Sequence, residues 1–77
     1  MALKTQHIQV LDAIENEGGQ ATILTIAEAI GESVRRVSQY VRSMAGESGF
    51  VELISEDTGA NSLWRLVKRS DGVPYIG

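Results

Sequence analysis

Six of the seven cationic side chains of this 77-residue chain fall into two short clusters, and clustered arginines are suited to binding phosphate groups. Residues 35–45 contain three arginines and no acid, and residues 65–69 contain two arginines and a lysine. Elsewhere acids dominate: residues 1–34 carry one lysine against five acids, and residues 46–64 carry four acids and no base. This distribution is compatible with a DNA-facing surface on an acidic body, and equally with a domain that never contacts DNA.

Cysteine and histidine, two residue types common in catalytic and metal sites, are scarce in this chain. The chain has no cysteine and a single histidine, His7, which the apolar pattern around it predicts to be packed and partly buried. Gly18-Gly19 lacks the lysine and the spacing of a phosphate-binding loop. We therefore expect no enzyme activity, no metal and no cofactor.

Length and composition predict one small domain, with 43% hydrophobic residues to form its core. We place the domain at residues 1–69 and expect residues 70–77 to form a mobile tail, from which Val73, Tyr75 and Ile76 could dock. The sequence shows neither a signal peptide nor a membrane span, so a cytoplasmic location is the expectation.

Hydrophobic periodicity predicts three helices that would position the first cationic cluster. Each has a recognisable end signal, a capping hydroxyl or a glycine. The helices are Leu3 to about Asn16, before Gly18-Gly19; Ile23 to Ile30, between Thr22 and Gly31; and a helix capped by Ser33 that runs to about Ala45.

The third predicted helix is amphipathic, with an apolar side for the core and a polar side for solvent or a ligand. Its apolar residues are Val37, Tyr40, Val41 and Met44; its polar residues are Arg35, Ser38, Gln39 and Arg42, flanked by Arg36 and Ser43.

From Phe50 onwards the apolar residues alternate, which predicts strands. The expected strands are Phe50 to Ser55 and Leu63 to Val67, joined by the turn-rich residues 56–62. We expect Trp64 to be part of the core and Arg65 to pair with Glu52 on the opposite face of the hairpin. The predicted fold class is α+β, three helices followed by a two-stranded β-hairpin.

The segment from Ile23 to Arg42 resembles the helix-turn-helix of winged-helix proteins, a group that includes many bacterial and phage regulators. Ala27 stands where a small residue lets two helices approach, and Gly31 stands in the turn. Phe50-Val51 resembles the entry into the hairpin called the wing. The resemblance covers roughly residues 3–68 and implies a winged helix-turn-helix domain.

Two features depart from that family's pattern. Glu32 stands where an apolar residue usually follows the glycine, and Glu56 and Asp57 stand at the wing tip where Lys or Arg is common. Carboxylates near phosphates repel, so the acidic tip argues against deep insertion of the hairpin into a DNA groove.

The resemblance implies that the third helix is a recognition helix lying in the major groove of duplex DNA. Arg35 and Arg42 would then contact guanine edges or phosphate, and Gln39 would pair with adenine. Short hydroxyl side chains would contact the DNA backbone. The candidate DNA-binding residues are Ser33, Arg35, Arg36, Ser38, Gln39, Arg42, Ser43, Lys68 and Arg69, of which the last two equally suit solubility.

Two functions remain open at this point. The first is sequence-specific DNA binding by a small transcriptional regulator, for which a homodimer that joins through the first helix or the tail is one option. The second is a protein-interaction module without DNA contact, in which Glu32, Glu56 and Asp57 would face a basic partner or mimic nucleic acid.

Overall fold

Three helices and a three-stranded antiparallel sheet make up the computed structural model, which describes residues 3–57 and 59–76. The α+β class predicted from the sequence is confirmed. Met1 and Ala2 of the predicted domain, Thr58 of the predicted turn and Gly77 of the predicted tail lie outside the described residues. The elements in chain order are α1 (Thr5–Asn16), β1 (Gln20–Thr22), α2 (Ile23–Ile30), α3 (Val34–Met44), β2 (Val51–Ser55), a 3-10 turn (Gly59–Asn61) and β3 (Leu63–Leu66).

The sheet corrects the prediction of a two-stranded hairpin, because β1 is a third strand. Strand β3 lies in the centre and pairs with β1 on one side and β2 on the other. A strand of three residues is too short to show an alternating pattern in the sequence. Its last residue, Thr22, also caps α2, since its hydroxyl accepts a hydrogen bond from the backbone N–H of Thr25 at 3.2 Å.

The ends of the helices follow the predicted signals closely. Helix α2 has the predicted bounds, and Gly31 after it takes a left-handed φ of 72°, with its N–H donating to the carbonyl of Ala27 at 2.9 Å. Glycine adopts this conformation without the steric cost that other residues meet. Helix α1 begins at Thr5 rather than Leu3, with Lys4 in the N-cap position.

One hydrophobic core joins the helices to the sheet. Trp64 is 4% exposed, which confirms it as a core residue. No helix among the described residues combines the length and hydropathy that a transmembrane span requires. The apolar residues buried in this core are Val10, Leu11, Ala13, Ile14, Ala21, Ile23, Ile26, Ala27, Val37, Val41, Met44, Val51, Trp64 and Leu66.

In the first half of the β2–β3 hairpin, the side chains lie on the faces of the sheet that the sequence predicts. Glu52 lies opposite Arg65, and the predicted ion pair is confirmed by a distance of 2.8 Å between Arg65 Nη2 and Glu52 Oε1. Regular pairing then shifts between Leu53 and Ser55, so Ile54 is the extra residue of a β-bulge.

The C-terminal segment folds back beside the sheet. The backbone N–H of Tyr75 donates to the carbonyl of Val67 at 2.8 Å, and Lys68 forms an isolated antiparallel bridge with Pro74. The Tyr75 ring packs against the core beside Gly19, so one of the tail residues that could dock does so. The mobility expected for residues 70–77 stays a prediction.

Candidate nucleic-acid interface

Helix α3 rests with one side against the core, which fixes the direction of its other side. Val37, Val41 and Met44 are each 0% exposed. At the N-terminus, Ser33 is the cap residue, and its hydroxyl accepts a hydrogen bond from the backbone N–H of Arg36 at 3.2 Å. A satisfied cap and a buried apolar side together hold the helix in one orientation.

The outward side of α3 presents cations that the protein does not neutralise. Arg35, Arg36, Gln39 and Arg42 are all exposed. None of the ion pairs found in residues 3–57 and 59–76 involves these three arginines. The Nε–H of Arg42 donates to the hydroxyl of Ser38 at 3.4 Å, a long hydrogen bond that leaves the rest of the guanidinium group free. This face is therefore open to an anionic ligand.

The N-terminal half of the same face contains a shallow surface hollow. Its lining residues are Ser33, Arg35, Arg36, Gln39 and Tyr40. Tyr40, which the sequence places on the apolar side, packs against the core but is only partly buried, and it also forms one wall of the hollow. The sequence contains a signal for this position, because Tyr40 follows Arg36 by one helical turn and so borders the polar side.

Ser43 differs from the other candidate serines because its hydroxyl contacts a side chain of another helix, His7 of α1. Its Oγ donates to the carbonyl of Tyr40 at 2.8 Å and lies 3.0 Å from Nε2 of His7. The His7 ring also meets the Tyr40 ring edge-on, with 5.4 Å between centroids. His7 is partly buried, as predicted, and Ser43 lies on the side of α3 that faces α1.

Two residues of the second cationic cluster, Lys68 and Arg69, have contacts of their own within the chain. Nζ of Lys68 lies 5.6 Å from the centroid of the Phe50 ring, next to the C-terminal end of α3. Nη2 of Arg69 instead pairs with Oδ2 of Asp71 at 2.7 Å. The hydrogen bond that Arg69 donates to this carboxylate raises the pKa of Arg69 and lowers the pKa of Asp71. Each of these two candidates thus has a partner within the chain.

Across the described part of the chain, His, Asp and Glu side chains nowhere form a group of three that could hold a metal ion. Comparison of the sequence with protein-family models, and of the chain with curated proteins and solved structures, gives no match. The case for a function therefore rests on the geometry and charge of α3.

Proposed function

We propose that this chain is a winged helix-turn-helix domain that binds duplex DNA through the outward face of α3, as a small transcriptional regulator does. The observation that carries the proposal is the set of three exposed arginines on α3 with no carboxylate partner among the described residues. Cations that are left unpaired within the protein can replace the counterions of DNA phosphates.

The side chains between and beside these arginines suit base contacts. Arginine can bind guanine through two hydrogen bonds, and glutamine can bind adenine in the same way. Arg35 and Gln39 are exposed, one helical turn apart, and neither makes a side-chain hydrogen bond within the described residues. They are the residues for which we propose base contacts, while Ser33, Arg36, Ser38 and Arg42 would contact the DNA backbone.

The order of the elements supports the same proposal. Two helices joined by a short turn at Gly31 are followed by a hairpin, as the resemblance of residues 3–68 implies. The hairpin carries exposed acids at its tip, and its Arg65 is already paired with Glu52. We therefore propose that α3, rather than the hairpin, makes the main contact with DNA.

The decisive experiment compares two double variants on one duplex, selected from random duplex DNA at low salt. Arg35→Ala/Arg42→Ala removes two arginines from the proposed interface. Because an arginine that contacts a base contributes about 1–3 kcal/mol, we expect the affinity to fall at least about tenfold, measured by fluorescence anisotropy.

Arg65→Ala/Arg69→Ala is the matched control, because it removes the same charge from residues that are paired with Glu52 and Asp71. We expect it to retain most of the affinity. Circular dichroism would verify that both variants fold. Equal affinity of the α3 variant and the parent, or failure to select any duplex, would refute the proposal.

A further inference from the structure

The outward side of α3 has a centre and two flanks, which the helical period defines. Successive residues lie about 100° apart around the helix axis, so Val37 and Val41 are each about 160° from Gln39. Both valines are 0% exposed, whereas Gln39 is exposed. Gln39 therefore points away from the core at the centre of the outward side, and the residues on its two flanks face in different directions.

Each flank carries an arginine and a hydroxyl group one helical turn apart. Arg36 and Tyr40 lie about 60° and 100° to one side of Gln39, and they line the surface hollow together. Arg42 and Ser38 lie about 60° and 100° to the other side, where the Nε–H of Arg42 donates to the Ser38 hydroxyl at 3.4 Å. Neither arginine takes part in an ion pair found in the described residues. The two flanks thus offer the same chemistry in two directions.

Tyr40 combines a free hydroxyl group with a ring that packing holds in place. The ring packs against the core and meets the His7 ring edge-on, with 5.4 Å between centroids. The hydroxyl makes no hydrogen bond within the described residues. Because the side chain is already ordered, little conformational entropy is lost when the hydroxyl donates to an acceptor. Beside an unpaired arginine, a phosphate oxygen is the acceptor that this hydroxyl suits best.

We propose that Arg36 and Tyr40 together bind a phosphate of one DNA strand, and that Arg42 binds a phosphate of the opposite strand. This inference rests on the proposed function and adds Tyr40 to the residues that contact DNA. The major groove is about 12 Å wide and a helix with its side chains is about 10–12 Å across, so the two flanks of a helix in the groove face the two backbones. Gln39, between the flanks, faces the base edges.

Tyr40→Phe tests the first part of the proposal, because it removes the hydroxyl and keeps the ring. On the duplex selected for the parent chain, we expect the affinity to fall about tenfold, a loss typical of a hydrogen bond to a charged group. Tyr75→Phe is the matched control, since Tyr75 is the other tyrosine and packs beside Gly19. It should leave the affinity unchanged. Thermal unfolding would verify that both variants keep the parent's fold.

The strand assignment is tested by replacing single phosphates of the same duplex with neutral methylphosphonates. At one position, Tyr40→Phe and Arg36→Ala should each cause little further loss of affinity, because their shared partner is already neutral. The corresponding position for Arg42→Ala should lie on the other strand. Unchanged affinity of Tyr40→Phe, or positions for Arg36 and Arg42 on one strand, would overturn this inference and leave DNA binding by α3 intact. A parent chain that binds no duplex would refute the proposed function and this inference with it.

Discussion

At the scale of single residues, Gly19 and Tyr75 form a contact that joins the turn after α1 to the C-terminal segment. Gly19 has a φ of 98°, and a Cβ atom there would lie 2.6 Å from Cε2 of Tyr75. Gly18 has a similar φ of 86° but has no atom within 4 Å of the corresponding position. Both glycines therefore adopt a positive φ, which other residues rarely adopt, but only at Gly19 would a Cβ atom collide with a neighbouring side chain.

We predict that Gly19→Ala destabilises the protein more than Gly18→Ala. Both variants introduce backbone strain of roughly 1–2 kcal/mol, and the contact with Tyr75 adds about 1 kcal/mol or more at Gly19 alone. Urea unfolding of the two variants measures the difference. Combining Gly19→Ala with Tyr75→Ala should cost less than the sum of the single changes; strictly additive costs would show that the ring does not press on Gly19.

The pair of Arg69 and Asp71 predicts a dependence of stability on pH. The hydrogen bond from Arg69 lowers the pKa of Asp71 below its ordinary value of 3.8. A carboxyl group with a lowered pKa stabilises the fold above that ordinary value, and this contribution is lost as the pH falls through the lowered pKa. The stabilising effect of Asp71 should therefore be present at neutral pH and absent in strong acid.

Asp71→Asn tests this dependence through thermal unfolding. We expect the variant to unfold at a lower temperature than the parent at neutral pH, and the two to unfold at the same temperature well below pH 3.8. Glu28→Gln is the control, because Glu28 is exposed and forms no ion pair within the described residues. A difference between Asp71→Asn and the parent that stays constant across this range would contradict the prediction.

At the scale of elements, substitutions of Ser33, the N-cap residue of α3, should affect the stability of the helix and its affinity for DNA differently. Ser33→Asp keeps an oxygen acceptor for the N–H of Arg36, so helix stability should be retained. Ser33→Ala removes the acceptor and should cost about 1 kcal/mol of unfolding free energy. The aspartate also places a negative charge at the proposed phosphate-facing end, so it should weaken DNA binding more than alanine does. The opposite order of affinities would contradict this placement.

The helices were predictable because each combines an apolar periodicity with a local end signal. Thr22, Gly31 and Ser33 all act as expected. Strand β1 was missed because its existence depends on pairing with β3, which is more than forty residues away in the sequence. Short-range patterns contain no information on such a partner.

The candidate site was predictable where it depends on one helix and not where it depends on contacts between elements. The outward direction of Arg35, Gln39 and Arg42 follows from the helical period, because the opposite side is apolar. The engagement of Ser43 by His7 depends instead on how α1 packs against α3. The pairing of Arg69 with Asp71 depends on a turn at the end of the chain that lacks a periodic pattern.

At the scale of the whole molecule, the chain has a net charge of −3 although the outward face of α3 is cationic. The dependence of DNA affinity on salt concentration reports how many of its cationic residues neutralise phosphates. If Arg36 and Arg42, the two arginines proposed to contact the DNA backbone, each neutralise one phosphate, the slope of log affinity against log salt should be roughly −1.8. If Lys68 and Arg69 also take part, it should be roughly −3.6. We expect the smaller value, and a slope near zero would exclude phosphate contacts altogether.

The direct passage from β1 into α2 has a mechanical consequence. Thr22 ends the strand and Ile23 begins the helix, so no loop residue separates them, and the N–H of Ile23 donates to the carbonyl of Ser62 at 3.2 Å. A change that disrupts the pairing of β1 with β3 should therefore also disturb the first turn of α2, because adjacent residues belong to the two elements.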